Sequence, residues 1–420
     1  MKRYIAMLLA LIMLFSMAGC TKSSDKGNAS NESATTAKTV DDSIKVGFIL
    51  PAESQAPDSK ARLEAIRKMQ NETGLTDSQI VISQNVNKES CLETIESMKK
   101  KGCKMIFALG ARYEEAVMEA AQENEEIQFC LEGGRDSIEC GLSNVHTFNS
   151  RIYEAYYAAG VISGIKLNAM LNSGDIVPDE CIVGFVAYKE APETTTCMNA
   201  YYIGINKVCT QSRLVVRYVG KRGNYDADGE AARQLVAAGC EMMCTYTYTT
   251  AVASVCAENG IPVIGNEYNI IDTCPAKAIS STYTDWSVYY IEAVNALVNG
   301  TELANDWCGG YKGGVVRLTQ LNDAHLSTGT AEKLIEVEEK LRKGSTKIFK
   351  TDNFTIDGQS LDTLVKENDD YKKYKDYVKD GQLKEQSQIS APIFEDLIDG
   401  ITVSTDNYLH ESEDTEESDQ

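Results

Sequence analysis

Runs of four to eight apolar residues alternate along this chain with longer stretches in which apolar positions recur every three or four residues. The runs at 44–50, 80–83, 103–109 and 127–131 predict strands, followed by a shorter extended piece at 145–148. Continuous apolar character is what strands buried on both faces need. The intervening stretches predict helices. One is capped near Asp58 or Ser59 and carries Leu63, Ile66 and Met69 on one side. A second, at 89–101, turns Leu92, Ile95 and Met98 inward, and a third covers about 112–124.

The pattern restarts after residue 150. A helix at 153–167 is rich in small residues, and strands at 181–188, 214–219, 241–245 and 262–264 are separated by helices at 193–208, 228–238 and 250–259. Two successive blocks of strand–helix alternation predict an α/β fold of two doubly wound parallel-sheet lobes. Open parallel sheets take ligands at the carboxyl ends of their strands, beside helix N-termini. The loops beginning at Pro51, Gly110, Glu132, Tyr188, Gly220, Tyr246 and Gly265 are therefore where a site is expected.

Both ends of the chain depart from this rhythm. Lys2 and Arg3 precede an apolar run that closes on Met17-Ala18-Gly19-Cys20. That is the shape of an export signal over 1–19, too short to span a bilayer. Its ending resembles a lipobox, in which Cys20 becomes the acylated first residue. An ordinary secretory signal or a short anchor is the alternative. Residues 20–42, rich in Ser, Thr, Asn, Ala and Lys, form an expected tether from the membrane. Residues 411–420 hold six acidic side chains, and such self-repelling runs form disordered tails. The stretch 360–381 is dense in Asp, Lys and Tyr and predicts an exposed helix or an ordered surface extension, whereas 389–401 turns apolar again and is expected to pack back onto a lobe.

Charge and composition remove several function classes. The 420 residues carry 41 Lys+Arg against 62 Asp+Glu, a formal charge of −21. Nucleic-acid contacts need clustered cations, so no nucleic-acid partner is expected. His146, His325 and His410 are the three histidines, and none neighbours another. Paired-histidine metal sites are excluded and histidine-centred catalysis is disfavoured. No phosphate-cradling GxxxxGK[ST], no GxGxxG after a strand and no GxSxG elbow occurs, so no cofactor or metal is expected. Cys240 and Cys244 lack a second ligand pair and bracket an apolar strand. The thirteen cysteines are dilute, and their spacing does not define a pairing.

From 44 to about 358 the chain resembles the basic membrane lipoprotein family, the PnrA-like and Med-like substrate-binding proteins of ABC importers. The stretch His146 to Gly164 (HTFNSRIYEAYYAAGVISG) is similar to that family's Y-F-G-R-x-Y-E-A pattern. Asp285-Trp286-Ser287-Val288-Tyr289-Tyr290 resembles its N-W-x-x-Y-Y, and Trp307 to Val316 its W…G-G-x-K-D-G-V-V. Asp352 to Gly358 resembles its late F…D-G turn. The resemblance implies a type I periplasmic-binding fold with three hinge crossings. Lobe 1 would take 43–150 plus about 280–320, lobe 2 would take 151–279, and 321–410 would pack on the lobes. It further implies a monomeric, lipid-anchored protein on the extracytoplasmic face of the cell membrane. A nucleoside, a purine nucleoside first, would bind between the lobes, with a permease and an ATPase as partners and no reaction catalysed.

The family's first loop reads roughly D-x-G-G-x-x-D-x-S-F-N. Here Pro51 replaces the leading acid, the stacking Phe is missing, and Asp58 fits the second acid only with a one-residue shift. Tyr225-Asp226 match the family's aromatic–acid pair, and Lys312 matches a lysine near the cleft. The ribose-binding acid becomes Glu267 or Asn269, and Glu132 stands in another strand-end loop. Tyr113, Tyr188, Tyr246 and Tyr248 could each replace the missing ring or be surface tyrosines. Asp58, Glu132, Asp226 and Glu267 are also enough carboxylates for a nucleoside-processing enzyme. A sensor of another small molecule is the remaining alternative.

Overall fold

The computed structural model describes residues 41–51, 57–272 and 274–404. The expected export signal, Cys20, nearly all of the tether and the acidic tail lie outside the described residues. In chain order the first block holds β1 (Lys45–Ile49), α1 (Pro57–Thr73), β2 (Ile80–Ser83), α2 (Cys91–Lys100), β3 (Cys103–Ala108), α3 (Glu114–Glu123), β4 (Gln128–Glu132) and β5 (Val145–Ser150). The second holds α4 (Tyr153–Ser173), β6 (Ile182–Ala187), α5 (Pro192–Asn206), β7 (Arg213–Tyr218), α6 (Tyr225–Ala237), β8 (Met242–Tyr246), α7 (Ala251–Asn259), β9 (Val263–Asn266) and β10 (Ala278–Thr284). Then follow α8 (Ser287–Asn299), β11 (Asp306–Gly309), β12 (Val316–Leu318), α9 (Thr330–Arg342), α10 (Leu361–Glu367), the hairpin β13 (Val378–Lys379) and β14 (Gln382–Leu383), and β15 (Ile401–Val403).

The first sheet runs β11-β5-β4-β3-β1-β2, and every pairing in it is parallel. The second runs β12-β10-β9-β8-β6-β7-β15, parallel except for the antiparallel β10–β12 pair. The two lobes match the expected α/β architecture, but their seams differ from the expectation. Ala278–Thr284 pairs with β9, so this strand belongs to lobe 2 and the chain returns to lobe 1 only at about 285. It leaves again after Gly309, because Val316–Leu318 pairs with β10. Hydropathy marks a strand without naming the sheet it joins, so the seam differs from its expected place at about 280.

Three crossings thus join the lobes, at 150–153, 284–287 and 309–316. They are bonded to one another: Arg151 N donates to Gly309 O at 2.7 Å and Asp285 N to Val315 O at 2.6 Å. Glu154 accepts from Tyr311 N at 2.7 Å.

Aromatic stacking builds the lobe 1 core. Phe48 stacks on Phe107 with centroids 4.5 Å apart, and Phe148 on Tyr289 of α8 at 4.2 Å. Lobe 2 has aromatic contacts as well and adds a close helix approach. A Cβ at Gly204 of α5 would lie 2.3 Å from Tyr157 O, and one at Gly160 of α4 would lie 2.0 Å from Tyr201 O. Glycine lets these backbones touch, so the small-residue pattern of 153–167 is a packing signal.

α1 begins at Pro57, which places Asp58 and Ser59 inside its first turn rather than at its cap. A proline there loses no helical hydrogen bond. The C-terminal segment belongs to lobe 2: Phe394 is fully buried against Phe349, Phe354 and Tyr374, and β15 extends the second sheet beside β7. The twelve described cysteines are all free, and ten of them are buried. Burial pushes Cys240 up to about 12, so this thiol behaves as a small apolar group.

Gly204→Val should destabilise the protein by about 1–3 kcal/mol through overpacking against Tyr157. An unchanged urea midpoint would show that α4 and α5 have room to separate.

Candidate functional site

The strand-end loops of both sheets converge on one cavity of about 950 Å³. Lobe 1 supplies Pro51, Asn85 and Arg112 after β1, β2 and β3. Lobe 2 supplies Arg222 and Tyr225 after β7, Tyr248 to Thr250 after β8, and Tyr268 and Asn269 after β9. The site therefore lies where parallel sheets place ligands. Four tyrosines, Tyr225, Tyr248, Tyr268 and Tyr283, line it. Arginines cover two of them: the guanidinium carbon of Arg222 lies 3.5 Å from the Tyr248 ring centroid, and that of Arg317 lies 4.4 Å from Tyr283. Lys60, Arg112, Arg222 and Arg317 outnumber the lining acids Glu64 and Asp272, so this wall is locally cationic on an acidic protein.

Tyr248 also lines a smaller inner cavity of about 70 Å³ that reaches the hinge. Its walls bring Arg62 and Glu132 of lobe 1 to face Glu193, Tyr246 and Glu267 of lobe 2. Arg62 holds Glu132 through two bonds, Nη2 to Oε1 at 2.6 Å and Nε to Oε2 at 3.3 Å. Both side chains are nearly buried, at 7% and 14% exposure, so each ion requires the other. Glu267 adopts φ 64°, unusual for a residue with a Cβ, and accepts from Thr284 Oγ1 at 3.1 Å. Glu193 accepts from Tyr188 Oη at 2.9 Å, with Lys189 Nζ at 3.5 Å. Carboxylates thus dominate the inner end, and they accept hydrogen bonds only.

Tyrosines link the two cavities. Tyr188 stacks on Tyr246 with centroids 6.1 Å apart, and both meet Tyr248 edge-on at 5.6 and 6.2 Å. Behind the inner cavity, Glu385 is buried and accepts from Ile393 N at 2.5 Å and Thr196 Oγ1 at 3.4 Å. Burial pushes its carboxyl up to about 7, against the opposing hydrogen bonds and Arg135.

The sequence-derived candidates separate into groups. Tyr225 and Asn269 line the wide cavity, and Glu132, Tyr246 and Glu267 line the inner one. Tyr188 backs the tyrosine group without lining either. Tyr113 points away: it is fully buried in lobe 1 and its hydroxyl donates to Val86 O at 2.6 Å. Asp226 in the first turn of α6 and Lys312 on the third crossing are exposed and line neither cavity. The side chain of Asp58 lies outside the described residues. Arg62, Glu193, Arg222 and Gln386 escaped the sequence reading. A signal existed for Arg62, which stands in helical register with Ile66 and Met69 on the buried face of α1 and so required a buried anion.

A family model described as ABC transporter substrate-binding protein PnrA-like matches residues 50–348. This chain belongs to that PnrA-like family. A purine-binding protein of Brucella abortus (strain 2308) is 23% identical over 256 residues, 61% of this chain and 68% of that protein. TsgA13 of Haloferax volcanii, provisionally named an ABC transporter glucose-binding protein, is 23% identical over 224 residues. That match spans 53% of this chain and about half of the relative, 54%. Among solved structures, an ABC transporter solute-binding protein of Aeropyrum pernix K1 superposes with TM-score 0.61 at 16% identity, covering 78% of this chain and 97% of that one. A transcriptional activator of the comK gene from Bacillus halodurans gives 0.59 at 16% identity, covering 72% and 99%. The PnrA-like chain therefore has the fold of type I periplasmic-binding proteins, and its family is one of substrate-binding proteins. Among the described residues no helix is long and apolar enough to cross a membrane, and no three or more His, Cys, Asp or Glu side chains are grouped so as to hold a metal ion.

The raised carboxyl of Glu385 predicts a pH dependence. The unfolded chain releases this proton in the ordinary carboxylate range, whereas the folded chain keeps it to about pH 7. Unfolding between those limits releases a proton, so stability falls as pH rises through that window. Glu385→Gln should remove a loss of up to about 3 kcal/mol between pH 4.5 and 8. Urea titrations at both pH values test it, and identical slopes for variant and parent reject it.

Proposed function

We propose that this PnrA-like protein captures a nucleoside, a purine nucleoside first, between its lobes and delivers it to an ABC permease and ATPase. The observation that carries this reading is the union of the tyrosine-lined cavity with the carboxylate-lined inner one through Tyr248. A flat base gains from stacking on Tyr225, Tyr248 and Tyr268, with Asn269 beside it. Vicinal hydroxyls suit Glu267 and Glu132 at the inner end, because carboxylates only accept. Tyr188 and Tyr246 hold Tyr248 in place, and lobe closure about the three crossings traps the ligand. The purine-binding relative supports the same class.

Acylation of Cys20 completes the proposal. It would tether a monomeric protein to the outer face of the cell membrane by lipid burial, at about 0.8 kcal/mol per CH₂. A second reading, a sugar ligand, is favoured by the acid-rich inner cavity and by Trp286 in its wall, since an indole face packs on a sugar ring.

Calorimetry with inosine, guanosine, adenosine and glucose separates the readings. Nucleoside binding without release of free base is expected; glucose binding alone would install the second reading, and liberated base would mean an enzyme. Tyr225→Ala should weaken nucleoside binding by about 1–3 kcal/mol, and unchanged affinity would remove that ring from the site. Glu267→Gln should weaken ribosides more than free bases. Equal losses for both would argue against ribose contact.

A further inference from the structure

We infer that the C-terminal extension, beyond the 50–348 family match, is part of the ligand site, with Gln386 as a specificity-determining acceptor for a hydroxyl or amine donor of the bound metabolite. This rests on the reading that a small metabolite binds between the lobes.

Gln386 follows the β13–β14 hairpin and lines the inner cavity together with Pro392 from the same extension. It is 7% exposed. Its Nε2 donates to Ser390 O at 2.5 Å and Ser150 O at 3.5 Å. These two carbonyls fix the amide orientation, because the reversed amide would set oxygen against oxygen. Oε1 is then left buried with no partner among the described residues. A buried acceptor without a donor costs free energy, and native proteins leave few of them. The backbone is also held in the left-handed region, at φ 57°. Of the five non-glycine residues found there among the described residues, Asn85, Glu267 and Gln386 line the two cavities. Such conformations persist where surrounding structure over-determines them.

That surrounding structure comes from both lobes. Ser390 N donates to Asp306 Oδ2 at 2.9 Å on lobe 1 edge strand β11. Glu385 is fixed to Thr196 of lobe 2 and to Ile393. The extension is thus bonded on both sides of the hinge, and Gln386 stands where the first crossing begins, at Ser150. Glu132 and Glu267 line the cavity with Gln386, and of these three the amide oxygen of Gln386 is the acceptor left without a donor. A ligand group that reaches this oxygen must donate, which selects hydroxyls and amines over phosphate or carboxylate at that point.

The test is a binding cycle with inosine and its 2′-, 3′- and 5′-deoxy analogues on the parent protein and Gln386→Met, which keeps side-chain length without the acceptor. The variant also loses the Nε2 bonds to Ser150 and Ser390, so its melting temperature should fall somewhat; inosine should bind the folded variant at least tenfold more weakly, and the difference should vanish for one deoxy analogue. Inosine affinity within twofold of the parent would overturn the role of Gln386 and leave the nucleoside reading intact. Should the variant not fold, hydrogen exchange of residues 384–394 in the parent decides: slowing by inosine supports the inference, and no change overturns it. If the parent binds glucose and no nucleoside, the nucleoside reading fails alone, and the cycle is run with glucose and its deoxy analogues under the same criteria. A parent that binds neither class removes both.

Discussion

Short chain crossings between two parallel sheets impose the constraint from which the site follows. Each parallel sheet puts its loops at the carboxyl ends of its strands. Hydrogen bonds between the crossings, Arg151 to Gly309 and Asp285 to Val315, make the three strands of chain one hinge. With the hinge fixed, the loops of both lobes can only meet across a shared cleft. Short crossings of this kind are the hinge elements about which two-lobed binding proteins close on their ligands. Glu154 strengthens the arrangement by reaching from the first helix of lobe 2 to the Tyr311 amide on the third crossing.

The hinge also explains where charge is buried. Arg62 and Glu132 lie close to it, largely out of solvent, and their pairing offsets a desolvation that neither could sustain alone. Buried ion pairs contribute little net stability, and this one stands in an inner wall that also holds Glu193 and Glu267. The outer cavity has the opposite local character, with arginines stacked over tyrosines. A protein of −21 formal charge thus places two of the four cations of its outer cavity over aromatic faces.

Most of the fold was legible in the sequence. Buried parallel strands read as unbroken apolar runs, and the helices between them kept a 3.6-residue period. The runs at 44–50 and 103–109 appear almost unshifted as β1 and β3. The site was legible only in part. Tyr225, Glu132, Tyr246, Glu267 and Asn269 reach the cavities because strand-end loops are predictable places. Tyr113 occupies an equally predictable loop yet turns into the lobe 1 core, since the side a ring faces depends on the neighbours it finds.

The chain's sequence by itself determined the two α/β blocks, the apolar faces and the family resemblance, all of which depend on local periodicity and ordered motifs. Tertiary structure alone decided which sheet Ala278–Thr284 joins, that Arg62 finds Glu132 seventy residues away, and that Gln386 returns to the hinge. Strand order and long-range pairing depend on how separate elements pack. A run of residues records its own hydropathy but not the surface that will cover it.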